Sequence, residues 1–182
     1  MKLIFLGPQG SGKSTQAKML AEKLNLPYVE MGQILRDKAE DNDEDAAKIR
    51  YALETGNLVP NEITIEALKQ RLEKPDAKGG FVLDGYPRNI TQLEQLPYKA
   101  DKAIYVKVSD DEALTRLTKR GRHDDSEDII KRRLELFHSE TEPLISEFEK
   151  SGMLIEIDGE RTIEEIHEDI RARVQENEDG KK

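Results

Sequence analysis

Short apolar runs alternate along the chain with stretches in which apolar positions recur every three or four residues. Lys2–Leu6 reads as a buried strand closed by Gly7, and Phe81–Asp84, Ala103–Val108 and Leu154–Ile157 read as further strands, with Pro27–Val29 as a fifth candidate. Helical spacing marks Lys13–Leu24, where Ala17, Leu20, Ala21 and Leu24 share a face. The same spacing predicts helices over Ile34–Ala39, Glu44–Glu54, Glu62–Leu72, Asp110–Lys119, Asp125–Lys150 and Ile163–Val174. In the longest of these, Ile130, Leu134, Phe137, Leu144, Ile145 and Phe148 form one apolar face. Strands separated by helices predict βαβ units, hence an α/β fold with a parallel sheet whose strands are apolar on both faces. No repeat is visible, and the polar Gln175–Lys182 tail is expected to fray.

Composition narrows the classes. The 182 residues fit one domain. No apolar run is long enough to span a membrane, and the apolar start before Gly7-Pro8 is too short for a signal segment. The chain has no cysteine, which removes disulfides, thiolate catalysis and a cysteine zinc site and points to the cytoplasm. With 29 Lys and Arg against 38 Asp and Glu, the net charge of −9 argues against nucleic acid as a partner.

That sum does not exclude a polyphosphate, because local sequence can override it. Gly7-Pro8-Gln9-Gly10-Ser11-Gly12-Lys13-Ser14 fits G-x-x-x-x-G-K-[ST] without a mismatch, between a strand and a helix. Glycines let backbone N–H groups curl around phosphate oxygens, and the helix adds its positive N-terminal end. Lys13 is placed to reach the β- and γ-phosphates and Ser14 to hold Mg²⁺. A kinase and a nucleotide-dependent switch or binding module compete at this point. The switch reading lacks Asn-Lys-x-Asp for guanine, and the Asp-x-x-Gly at Asp76–Gly79 precedes its strand instead of following it.

A second anion site follows the Phe81–Leu83 strand, at Asp84-Gly85-Tyr86-Pro87-Arg88, with Gln92 four residues on. Asp84, at a strand end beside the phosphate loop, can hold Mg²⁺ through water, and Arg88 offers a planar fork to another phosphate. The two sites together resemble the adenylate kinase family of nucleoside monophosphate kinases, and the resemblance covers nearly the whole chain. It implies the three-layer P-loop kinase fold with a five-stranded parallel sheet, and transfer of a phosphoryl group from ATP to AMP giving two ADP. It implies an ATP side of Gly10, Ser11, Gly12, Lys13, Ser14, Thr15, Arg116, Arg120 and Arg161. The acceptor side would comprise Met31, Arg36, Asn57, Leu58, Val59, Gly85, Tyr86, Pro87, Arg88 and Gln92, with Arg122 and Arg133 from the Arg122-His123-Asp124-Asp125…Arg133 set. Lys13, Arg88, Arg120, Arg122 and Arg133 would surround the transferred group, and Ser14 and Asp84 would hold the metal. By the same likeness, residues 30–60 form a small helical monophosphate-binding subdomain on a core of 1–29 and 61–182, with a vestigial lid at 121–124.

Phosphoryl transfer needs two nucleotides in line and cations around spreading charge, not a protein base, so the histidines are expected to be bystanders. Three departures from the family pattern stand out. Ser14 replaces the usual glycine after the loop lysine, so Ser14 binds Mg²⁺ directly or shares the task with Thr15. Met31 stands where AMP-specific members carry a threonine, which leaves CMP, UMP or GMP open as acceptors, although Gln92 favours AMP. The lid is reduced to a short connection, Gly121–Asp124, with no cysteine for zinc. Either motion of residues 30–60 closes the site or a second subunit covers ATP, so the state expected is a monomer or small homo-oligomer. Glu40–Asp45 lacks the glycine and terminal glutamate of a calcium loop, and reads as a helix start capped by Asn42 or Asp43.

Overall fold

The computed structural model describes residues 1–121 and 126–179. Five strands, β1 (Lys2–Leu6), β2 (Tyr28–Glu30), β3 (Phe81–Asp84), β4 (Lys102–Lys107) and β5 (Leu154–Asp158), form one parallel sheet in the order β2-β3-β1-β4-β5. Alternation along each strand sends side chains to two cores. Leu3 and Phe5 of β1, Val82 of β3 and Ile104 and Val106 of β4 meet Ala17, Leu20 and Ala21 of α1 (Lys13–Leu24) and Ile166, Ile170 and Val174 of α9 (Ile163–Asp179). Ile4, Leu6, Phe81, Leu83, Ala103 and Tyr105 face the opposite way. Both faces are therefore covered, which is the three-layer arrangement expected of apolar parallel strands. Each such buried aliphatic or aromatic side chain contributes about 1.5–3 kcal/mol through burial.

The second face is covered by α2 (Met31–Lys38), α3 (Glu44–Thr55), α4 (Asn61–Leu72), the short α5 (Ile90–Glu94) and α8 (Glu142–Lys150). Met31, Leu35, Ile49, Ala52 and Val59 share one continuous core with Ile63 and Leu68 of α4 and Leu83 of β3. Asp43 begins α3 as expected, its carboxylate accepting from the Ala46 N–H at 2.7 Å.

Besides α9 running on to Asp179, through part of the tail expected to fray, two helical expectations change. The segment predicted as one helix from Asp125 to Lys150 is α7 (Glu127–Leu136), a π-turn (Phe137–Thr141) and α8, with Asp125 itself outside the described residues. Pro143 is the cause: it has no N–H for the Ser139 carbonyl, and its ring would collide with that group in a regular helix. The chain widens instead, and the Glu142 N–H bonds the Phe137 oxygen five residues back. The expected single apolar face is consequently divided. Ile130 and Leu134 pack with Ala113 and Leu117 of α6 (Asp110–Arg120), while Phe137, Leu144 and Phe148 join the core beneath the sheet. The second change is α5, too short to register as an apolar period. Asn89 caps it by accepting from the Gln92 N–H at 2.9 Å.

Candidate functional site

Parallel strands direct their carboxyl ends to one edge, where ligands of such sheets bind. Phe5 of β1 pairs with Asp84 of β3, and Asp84 with Glu30 of β2, so the phosphate loop and two carboxylates are neighbours. A cleft of about 410 Å³ opens there.

The loop is shaped by close approach. Gly10 sits at φ 85°, and a Cβ on it would meet the Ala113 carbonyl oxygen at 2.6 Å, so the loop lies flat on α6. Gly12, at the start of α1, has no side chain to cap it, and of the first N–H groups that of Lys13 donates to the Ser11 hydroxyl oxygen at 3.4 Å. The Lys13 ammonium donates to the Pro8 carbonyl at 3.2 Å. Burial pulls its pKa below the usual lysine value, the neighbouring Arg88 and Arg120 charges lower it further, and Asp84 pushes it back up. Arg116 is held against the loop by Glu112 at 2.6 Å and by the Ser11 carbonyl at 3.4 Å.

On the other side, Arg88 extends from the turn after β3. Its Nε donates to the Gly85 carbonyl at 3.0 Å. Burial lowers its pKa from the ordinary arginine value, with Asp84 opposing and Arg133 and Arg36 reinforcing the shift. It stays charged, as guanidinium does in proteins. Arg36 pairs with Glu30 at 2.9 Å. Asp84 is 2% exposed, and its Oδ2 accepts from the Tyr28 hydroxyl at 2.9 Å. Burial first, then the Asp84 and Glu30 charges, raise the Tyr28 phenol well above its usual range. Asp84 Oδ1 is buried with no partner among the described residues.

The cleft brings together Gly10, Gly12, Lys13, Ser14, Thr15, Arg116 and Arg120 from the expected ATP side. From the expected acceptor side it brings Arg36, Asn57, Leu58, Val59, Gly85, Pro87, Arg88, Gln92 and Arg133, with Asp84 between the two groups. It does not bring in four expected residues. Ser11 is buried behind the loop. Met31 is core, at 1% exposure. Tyr86 is buried and donates its hydroxyl to the Gln92 carbonyl at 3.0 Å. Arg161 turns away to Asp169, at 2.6 Å. Arg122 and residues 122–124 of the expected lid lie outside the described residues.

Several cleft residues are ones that sequence motifs do not mark. Glu30 ends β2, and extending that strand by one residue would have found it at the same edge as Asp84. Leu53, Thr64, Phe137 and Thr141 also line the cleft and carry no local motif. Gln92 is more engaged than a base reader needs to be. Its Oε1 accepts from the Arg88 N–H at 2.8 Å and its Nε2 donates to Asn61 Oδ1 at 3.0 Å. One N–H and one lone pair of the amide are left over.

Among the described residues, no group of three or more His, Cys, Asp or Glu is disposed to hold a metal ion. No described helix is long and apolar enough to cross a membrane. The arrangement is a cation-lined slot with a phosphate-binding loop at one end and a second arginine group facing it.

A family model described as adenylate kinase matches residues 5–153. Adenylate kinase 1 of Nostoc sp. is 39% identical over 178 residues, covering 94% of this chain and 97% of the relative. The adenylate kinase of Corynebacterium urealyticum is 38% identical, covering 92% and 96%, and that of Thermobifida fusca 39%, covering 91% and 94%.

Proposed function

The chain belongs to the adenylate kinase family, whose reaction is ATP + AMP to two ADP, and from that premise we propose how its own residues carry the transfer. The phosphate loop, Gly10–Thr15, cradles the ATP phosphates, and Arg116 flanks the nucleotide from α6. Arg36 and Arg88 take the AMP phosphate. Lys13, Arg88, Arg120 and Arg133 converge on the phosphoryl group in flight, where charge spreads over its oxygens. Arg122 joins them by family likeness alone. The AMP phosphate is mostly dianionic near neutrality, its second pKa being about 6, so no protein base removes a proton. The observation that carries this reading is the joining of two separate cation groups in one cleft across Asp84.

Mg²⁺ fits the same cleft. Asp84 Oδ1, buried and unpartnered among the described residues, and the Ser14 hydroxyl are the groups that would hold it, directly or through water. When bound, the ion would neutralise charge between the two outer phosphates. A site with so few protein ligands suits Mg²⁺, which keeps waters and uses substrate phosphates.

Residues 30–60 form the acceptor-side segment in this reading, with Asn57, Leu58 and Val59 along the nucleoside. Its end is tied to α7, where Arg132 Nε donates to Asn57 Oδ1 at 3.0 Å. That contact joins the segment to α7 within one chain, which is compatible with closure by residues 30–60 in a monomer or small homo-oligomer. AMP is the acceptor on the strength of the spare Gln92 amide groups. The cysteine-free composition fits a reducing cytoplasm. A coupled assay of ADP formation from ATP with AMP, GMP, CMP and UMP tests the acceptor. AMP should be used at least about tenfold better in kcat/KM, a gap of about 1.4 kcal/mol, and equal use of a pyrimidine nucleotide would overturn the assignment.

A further inference from the structure

Arg88 sits in neither a strand nor a helix, between β3 and α5, with Arg36 and Arg133 pushing on its charge. A cation so placed keeps its position only if its main chain is held. Two side chains hold it. Gln92 Oε1 accepts from the Arg88 N–H at 2.8 Å, and the Thr141 hydroxyl donates to the Arg88 carbonyl at 2.8 Å. The two peptide groups flanking the Arg88 Cα are thus each held by a side chain from a different element, Gln92 of α5 and Thr141 of the π-turn.

Thr141 reaches Arg88 because of the π-turn. In a regular helix a threonine hydroxyl usually turns back to the carbonyl four residues earlier, which here is Phe137. Here that carbonyl accepts from the Glu142 N–H across the π-turn, and the Thr141 hydroxyl is turned to Arg88. One added residue rotates the rest of the helix by about 100° relative to an uninterrupted one. Thr141 is 7% exposed at the edge of the cleft, and its hydroxyl is satisfied by the Arg88 carbonyl. The turn is itself anchored. The Phe137 ring stacks on Tyr105 with centroids 6.4 Å apart, and His138 bonds Glu142 at 2.8 Å and Asp110 at 3.0 Å.

We propose that Thr141 is a positioning residue for Arg88, delivered to it by the π-turn that Pro143 imposes. The inference rests on the role assigned above to Arg88 in holding the acceptor and transferred phosphates. Its chemistry is a single neutral hydrogen bond that sets the guanidinium fork against a phosphate, where a displacement of a fraction of an ångström reduces the rate.

The test compares Thr141→Val, which keeps the branched shape and loses the hydroxyl, with Thr141→Ser, which keeps the hydroxyl. Thr141→Val should lower kcat/KM for AMP about tenfold, equivalent to about 1.4 kcal/mol, with KM for ATP within about twofold of the parent. Thr141→Ser should recover to within about threefold of the parent. Should Thr141→Val fail to fold, Thr141→Ala removes the hydroxyl without added strain and carries the same expectation. A hydroxyl-free variant with parental kcat/KM for AMP overturns the inference, and so does a serine variant as impaired as the valine one, because shape and not the hydroxyl would then matter. Arg88→Lys, run beside them, separates the two layers. Parental activity in Arg88→Lys would remove the role of Arg88 itself, whereas an inactive Arg88→Lys beside a fully active Thr141→Val removes only the clamp.

Discussion

Replacing Gln92 by Leu would separate a base-reading side chain from one that also builds the site. Gln92 is 2% exposed, and Leu matches its bulk, so packing changes little. Two hydrogen bonds are lost, to the Arg88 N–H at 2.8 Å and to Asn61 Oδ1 at 3.0 Å. Asn61 Oδ1 keeps its bond from Asn89 Nδ2 at 3.0 Å, so that loss is about 0.5–1.5 kcal/mol. The Arg88 N–H is left without its acceptor, which costs about 1–3 kcal/mol. Apolar gain from Leu offsets part of this, and a net loss of about 2–3 kcal/mol remains. For a chain of this size that lowers Tm by about 4–12 °C. Thermal unfolding without nucleotide reads this loss, and steady-state kinetics should show KM for AMP raised far more than KM for ATP. A variant with parental Tm would refute the structural half of this reasoning, because Gln92 would then contribute only to the ligand.

The same structure sets three other outcomes. Arg132→Ala removes the half-exposed bond to Asn57 and should raise KM for AMP about threefold while leaving KM for ATP unchanged, a bond of this kind being worth about 0.5–1 kcal/mol; an unchanged KM for AMP would show that the contact does not hold the segment. His138 is bonded by Glu142 and Asp110, which raise its pKa above the ordinary 6.5. Its contribution to stability is therefore full below pH about 6.5 and is lost as pH rises through the elevated folded value, so the stability gap between the parent and His138→Gln should be wider at pH about 5.5 than at pH about 8.5, and a pH-independent gap would contradict it. With only residues 121–126 between α6 and α7, we propose that ATP is less shielded than a full lid would leave it, so ADP should form slowly from ATP alone, and no release above buffer would rule that out.

The Gly7–Ser14 loop was legible in the sequence because its signal is local: glycines, lysine and serine fall within one short segment between a strand and a helix. Asp84 was legible for a related reason, since a buried apolar run that ends in a carboxylate marks the ligand edge of a parallel sheet. The sheet itself was readable from doubly buried strands, and β2 fell one residue short at Glu30. What was not legible depended on distant partners. Nothing near Gln92 announces that Asn61, 31 residues earlier, will take its amide. Nor does the loop holding Arg161 announce that its guanidinium will pair with Asp169 of α9, at 2.6 Å. The division of the long helix was readable at Pro143, but apolar spacing on either side outweighed the missing N–H.

We propose that one slot aligns both nucleotides for transfer around Lys13. Its most direct test is ADP formation from ATP and AMP by the parent and by Lys13→Ala, read by phosphorus NMR, with circular dichroism of both proteins. Rapid ADP formation by the parent is expected, with a loss of at least about a thousandfold in Lys13→Ala, in line with removing a charge from the transferred group, and the same folded spectrum for both. Turnover by a folded Lys13→Ala within about tenfold of the parent, a deficit of only about 1.4 kcal/mol in the barrier, would contradict it.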